Sequence, residues 1–311
     1  MSRIRVSGGL LLRVRESGDP GSGANAPPGP VAGEADAATR REEEPGPPPA
    51  LLLHGFAATG AFWEPIARDL DRRCLMPDLP GHGASDAPVP SGSWPLTRAA
   101  DALASLLDRL SIERADVVAY SMGARLALHL LLGHGDRVRR AVLIGASPGI
   151  AGARERRERI ESDTALARLL EEEGIEAFLK IWEAKPLFAS EARLERERRD
   201  WMRGLRRASD PRGLAAALLA FGTGAQEPLH ERLREIRAET LLVAGGEDAK
   251  FRALASEMAG AMTCARAAIV PGAGHNVPLE APRATVALLR RFLAEGPPPL
   301  DGGGGGSASI A

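Results

Sequence analysis

Six short apolar runs constrain the fold more than any other feature: Ala50 to Leu53, Arg73 to Met76, Asp116 to Ala119, Ala141 to Ile144, Thr240 to Ala244 and Ala267 to Val270, each bounded by Gly, Pro or Asp. Runs this short, without polar alternation, suit strands buried on both faces. Most are followed by amphipathic stretches, at Phe62 to Leu70, Leu96 to Leu110, Met122 to Leu132, Arg252 to Met262 and Pro282 to Ala294. Strand alternating with helix predicts a mostly parallel sheet flanked by helices on both faces, an α/β fold. Ahead of it, Ile4, Val6, Leu10, Leu12 and Val14 recur at a period of two around Gly8-Gly9, which predicts a hairpin. Between Ser147 and Arg237 the strand pattern stops and the residues become charged and helical. The expected organisation is therefore a core at 1–146 and 238–295 with a helical cap, 147–237, inserted into it. No internal repeat of fixed period is present.

Composition narrows the partners. Of 311 residues 44% are hydrophobic, enough for a full core, and 40 Lys+Arg stand against 41 Asp+Glu for a net charge of -1. Such a balance has no cationic excess to drive counterion release, so nucleic acid is not expected as a partner. Cys74 and Cys264 match no metal-ligand spacing, and both read as buried free thiols of a reducing compartment. The N-terminal apolar run, Leu10 to Leu12, is too short for a signal peptide, and no stretch approaches the roughly 18 apolar residues that a membrane span needs. A cytoplasmic protein is expected. The Gly, Pro, Ala and Glu of residues 17–49 cannot offset their own ordering entropy, and a disordered insertion is expected there, as is a disordered tail at 296–311. Nothing in the sequence sets an oligomeric state.

Open parallel sheets place ligands at the carboxyl ends of their strands, so the residues just after each apolar run carry the chemical information. After Ala119 comes Tyr120-Ser121-Met122-Gly123, directly before a helix. A serine on such a tight turn needs small neighbours; Gly123 fits, and Ala119 stands where a glycine is usual. A serine at a helix start is also an ordinary N-cap. After the first core strand comes His54-Gly55-Phe56, where the turn at Gly55 can face the Phe56 amide towards Ser121 and the Met122 amide can add a second donor, forming an oxyanion hole. His54 then reads as structural, as does His82 in Asp78-Leu-Pro-Gly-His82-Gly83. Another strand ends in Glu247 and Asp248, either of which could cap the helix near Phe251. The last ends in Pro271-Gly-Ala-Gly-His275-Asn276. His129, His134 and His230 lie on helices or loops without evident partners. Serine, acid and histidine thus appear in the order Ser121, Asp248, His275, which is the chain order of the α/β-hydrolase triad.

The wording around these positions is more specific. Tyr120-Ser-Met-Gly-Ala-Arg125-Leu-Ala-Leu, Ser147-Pro-Gly before an Arg-rich helix ending Ser162-Asp163, Gly174-Ile-Glu-Ala-Phe178, Trp182, Pro186-Leu-Phe-Ala189, Asp248-Ala-Lys-Phe251 and Gly274-His-Asn276 together resemble the 2-succinyl-6-hydroxy-2,4-cyclohexadiene-1-carboxylate synthases of menaquinone biosynthesis, within the α/β-hydrolase superfamily. The similarity runs from Leu51 to about Phe292. Ala119 and Ala124 depart from it, each replacing a glycine. The resemblance implies a small polycarboxylate substrate from which pyruvate is eliminated, a Ser121-His275-Asp248 triad acting as base, and no cofactor or metal. It further implies that Arg125, one helical turn after Ser121, together with Arg159 and Arg206, binds carboxylates, with Tyr120 and Trp182 as further substrate contacts. Arg154, Arg156 and Arg157 read instead as a solvated helix face. A serine esterase or carbon-carbon bond hydrolase of the same fold would share the triad.

Overall fold

The computed structural model describes residues 1–17, 46–89 and 94–294; the expected insertion lies almost wholly, and the expected tail wholly, outside the described residues. Eight strands form one sheet: β1 (Ser2–Arg5), β2 (Leu11–Ser17), β3 (Ala50–Leu53), β4 (Cys74–Pro77), β5 (Ala115–Tyr120), β6 (Val138–Ile144), β7 (Glu239–Gly245) and β8 (Ala265–Val270), in the order β1-β2-β4-β3-β5-β6-β7-β8. The N-terminal hairpin is antiparallel and joins β4 antiparallel; every other neighbour pair is parallel.

The helices are α1 (Glu64–Ala67), α2 (Leu96–Arg109), α3 (Met122–Gly133), α4 (Ala153–Glu172), α5 (Gly174–Glu183), α6 (Arg196–Arg207), α7 (Pro211–Phe221), α8 (Ala249–Ala261), α9 (Val277–Glu280) and α10 (Pro282–Ala294). Successive strand residues point to opposite faces. Leu51, Leu53, Val117, Ala119 and Leu143 therefore pack with α2, α3 and α8 on one side. Ala50, Leu52, Val118, Tyr120, Val142 and Ile144 pack with α1 and α10 on the other. Strands buried on both faces explain the unbroken apolar runs.

Residues 147–237 link β6 to β7 through α4 to α7 and contain no strand. They pack around Leu166, Leu170, Phe178, Trp182, Phe188 and Leu214, a cluster joined by Phe56 and Ala57 of the turn after β3, while Ala217, Ala220 and Phe221 of α7 and Met202 of α6 join the two cores of the sheet. None of the described helices is long and apolar enough to cross a membrane.

Three expectations need correction. The helix expected over Phe62 to Leu70 is a 3-10 turn, Gly60–Trp63, followed by the single turn α1. It closes early because the Asp69 and Leu70 amides bond back three residues, to Ile66 and Ala67, and Leu70 turns into the core. Cys264 is exposed, although Cys74 is buried, because it sits in the turn before the edge strand β8. His134 has a partner, Asp101 Oδ1 at 2.7 Å.

Candidate active site

Ser121 sits between β5 and α3 with φ 52° and ψ −109°. For a residue with a Cβ this left-handed backbone costs on the order of 1–3 kcal/mol, which the surrounding packing must offset. The turn places the hydroxyl at the end of the sheet and lets α3 start at once. Gly123 has no alternative, since a Cβ there would lie 2.5 Å from the Leu53 carbonyl oxygen. At 119 the chain carries alanine, fully buried within the β5 register between Leu53 and Leu143.

His275 arrives from the turn after β8. Its Nε2 is 3.2 Å from Ser121 Oγ and its Nδ1 is 2.8 Å from Asp248 Oδ2. Asp248 has two tasks, because its Oδ1 also accepts the Phe251 amide at 3.2 Å and caps α8. Glu247 instead pairs with Arg193 in an exposed bridge of 2.6 Å. A carboxylate can only accept, so Nδ1 carries the proton and Nε2 presents its lone pair to the serine hydroxyl.

Residues that the sequence reading missed hold the imidazole. The Glu280 carboxylate accepts the Gly274 and Asn276 amides, at 2.8 and 3.0 Å, on either side of it. The Phe251 ring packs 4.4 Å from it. Gly145, directly after β6, has φ 62°, and a Cβ there would be 2.8 Å from His275 Cε1. Gly145 was findable, as it stands at a strand's carboxyl end like the residues that were singled out; Glu280 gave no such signal.

At the end of β3, glycine at 55 is required by close approach, not by backbone conformation: a Cβ would lie 2.8 Å from the Tyr120 ring and 3.5 Å from Ser121 Cβ. The left-handed residue of that turn is Ala57, φ 58°. The α3 ladder begins with the Arg125 amide on the Ser121 carbonyl, which leaves the Met122 amide without an acceptor in the helix. Phe56 packs edge-on against Trp182 at 5.2 Å. His54 donates Nδ1–H to the Gly55 carbonyl and accepts the Leu79 amide on Nε2, tying the turns after β3 and β4 together. Burial pushes its pKa down to about 4 and that of His82 to about 3, so both rings are neutral.

Ser121, Met122, Phe56, Tyr120 and His275 line a cavity of about 730 Å³ between the sheet and residues 147–237, and Arg125, Arg159, Trp182, Lys185 and Arg206 line it as well. Arg125 is buried and, among the described residues, its side chain bonds the neutral Gln226, at 3.2 Å. Burial, with Arg159 nearby, lowers its pKa to about 10, and it remains cationic. Arg159 bonds Asp163 Oδ1 at 2.8 Å. Arg206 differs from expectation: both terminal nitrogens are taken, by Glu183 at 3.1 Å and by the two oxygens of Glu191 at 3.1 and 2.9 Å. Glu191 also accepts from Asn276 Nδ2 at 2.9 Å, so Arg206 is bound into a buried network reaching the histidine loop. Trp182 stacks on Phe178, and burial pushes the Tyr120 phenol up, keeping it neutral. Arg154 pairs with Glu158 on the exposed face of α4. Among the described residues, no group of His, Cys, Asp or Glu is placed to hold a metal ion.

Comparisons with known proteins agree with this architecture. The family described as the alpha/beta hydrolase fold matches residues 48–282. A Bacillus subtilis (strain 168) protein, provisionally named 2-succinyl-6-hydroxy-2,4-cyclohexadiene-1-carboxylate synthase, is 37% identical over 244 residues, covering 78% of this chain and 89% of its own. The Enterobacter sp. (strain 638) synthase of that name is 31% identical over 81% of this chain and 94% of its own. Among solved structures, MenH from S. aureus superposes with a TM-score of 0.76 at 29% identity, covering 79% of this chain and 93% of its own. An enol-lactonase from Burkholderia xenovorans LB400, with a TM-score of 0.75 at 23% identity, shares the fold. The chain belongs to the α/β-hydrolase fold family and, within it, to the group of the 2-succinyl-6-hydroxy-2,4-cyclohexadiene-1-carboxylate synthases.

Proposed function

We propose that this protein eliminates pyruvate from 2-succinyl-5-enolpyruvyl-6-hydroxy-3-cyclohexene-1-carboxylate to give 2-succinyl-6-hydroxy-2,4-cyclohexadiene-1-carboxylate. The observation that carries the reading is a serine-histidine-aspartate relay opening onto a cavity lined also by Arg125 and Arg159. A hydrolase of simple esters has no use for paired cations there, one of them buried; a polycarboxylate does.

The chemistry follows from the bond changes. The ring proton beside the succinyl ketone leaves as the 3-ene becomes the 2,4-diene and the carbon-oxygen bond to enolpyruvate breaks. Ser121 Oγ takes that proton while His275 Nε2 takes the serine's own, and Asp248 stabilises the imidazolium. Negative charge moves onto the ketone oxygen, where the Met122 and Phe56 amides and the positive end of α3 would receive it. The protonated His275 can then return its proton to the departing enolpyruvate, which becomes pyruvate. No external oxidant or hydride is involved, so the reaction asks for no cofactor. Residues 147–237 act as the cap that excludes water and supplies Arg159 and Trp182.

The test is pyruvate release from the enolpyruvyl substrate, followed with lactate dehydrogenase, beside hydrolysis of nitrophenyl esters. The synthase reading expects rapid pyruvate release and slow ester turnover. Rapid ester hydrolysis without pyruvate would assign the site to a serine esterase.

A further inference from the structure

Accepting that reading, the substrate carries three carboxylates, on the ring, the succinyl arm and the enolpyruvyl group, whereas one of the three expected arginines, Arg206, has both terminal nitrogens bound to protein carboxylates. We propose that Lys185 takes its place, as the third carboxylate-binding residue of the cavity beside Arg125 and Arg159.

Lys185 lies in the turn after α5, where its amide bonds the Trp182 carbonyl at 3.2 Å and Pro186 follows. Its ammonium stands 5.1 Å from the centre of the Trp182 ring, on the cavity wall. A flexible lysine is thereby held over an aromatic face, which keeps it oriented without neutralising it. Asp163 acts on this corner but bonds Arg159 through Oδ1, and Glu155 also lines the cavity; among the described residues neither carboxylate bonds the lysine. Partial burial and Arg159 both lower the lysine's pKa, the effect expected of a charge that lacks a counter-ion of its own. An incoming carboxylate would supply it. Arg125 and Arg159 then hold the remaining carboxylates, and Arg206 serves by fixing Glu191 and, through it, the loop of His275.

Binding of succinate, a dicarboxylate that needs no turnover, is measured by calorimetry on the wild type, Lys185→Met and Lys185→Arg, together with KM and kcat for pyruvate release. Lys185→Met should weaken succinate and raise KM by roughly tenfold, the loss of one charge-assisted contact, with kcat within about twofold. Lys185→Arg should recover most of both, and melting temperatures should agree among the three proteins. Wild-type affinity and KM in Lys185→Met would overturn the proposal, as would failure of the wild type to bind succinate. If succinate binding depends on Lys185 but no pyruvate is released, this proposal stands and the proposed reaction does not.

Discussion

Replacing Gly145 by alanine perturbs the placement of the imidazole while leaving the cavity's cations in place. The added Cβ would sit 2.8 Å from His275 Cε1, where unstrained carbon contacts lie at about 3.5–4.0 Å, so the ring must retreat by roughly 0.7 Å or more. That movement carries Nε2 away from Ser121 Oγ, already 3.2 Å distant, and beyond useful hydrogen bonding. Misplacement of a reacting group by about 1 Å can cost on the order of 10²-fold, and the predicted fall in kcat is of that size. The backbone contributes separately: φ 62° is left-handed, and alanine there costs about 1–2 kcal/mol, a few degrees in melting temperature. Because the cavity's cations are untouched, KM should stay within about threefold. The assay is steady-state pyruvate release with calorimetric melting, and Gly135→Ala, where a Cβ meets nothing within 4 Å, is the control. A Gly145→Ala protein with wild-type kcat would refute the argument that this contact positions the base.

Two further outcomes follow from the same geometry. Asp248→Asn can still cap α8 but no longer offers a carboxylate to Nδ1, so kcat should fall by roughly 10³–10⁴ with little loss of stability, whereas Glu247→Gln, which breaks only an exposed bridge to Arg193, should leave kcat unchanged. Acid should destabilise the fold through His54, His82 and His129, held by burial at about 4, about 3 and about 4 against an ordinary 6.5. The unfolded chain takes up these protons first, so stability is full above pH 6.5 and declines as pH falls towards 4, with His54 alone worth about 3 kcal/mol by the end. Denaturation midpoints followed by tryptophan fluorescence should be level from pH 8 to 7 and fall between 6.5 and 5, before most carboxylates protonate; a level line to pH 5 would contradict the neutral, buried assignment.

The strands were legible because doubly buried β-structure leaves unbroken apolar runs, and their carboxyl ends pointed to Ser121, Asp248 and His275 through a rule about where open sheets bind ligands. Glu247 and Asp248 could not be separated in sequence, since adjacent residues on one turn have the same composition cues; only side-chain direction distinguishes them. The commitment of Arg206 was equally hidden: its partners, Glu183 and Glu191, come from other elements of the helical segment, and the pairing exists only once those elements pack. Glycines carried information of two kinds. Gly145 needs its positive φ, while Gly55 and Gly123 are set by a ring and a carbonyl that come close only in the folded chain. Charge runs were ambiguous by nature, as Arg154 and Arg159 share one helix and face different surroundings.

The most direct measurement is pyruvate production by the wild-type protein and by Ser121→Ala at equal concentration, from the enolpyruvyl cyclohexene substrate. The relay described here predicts steady turnover by the wild type and a rate at least 10³-fold lower when the hydroxyl is removed, with the fold intact. Turnover by Ser121→Ala at the wild-type rate would show that another group removes the ring proton.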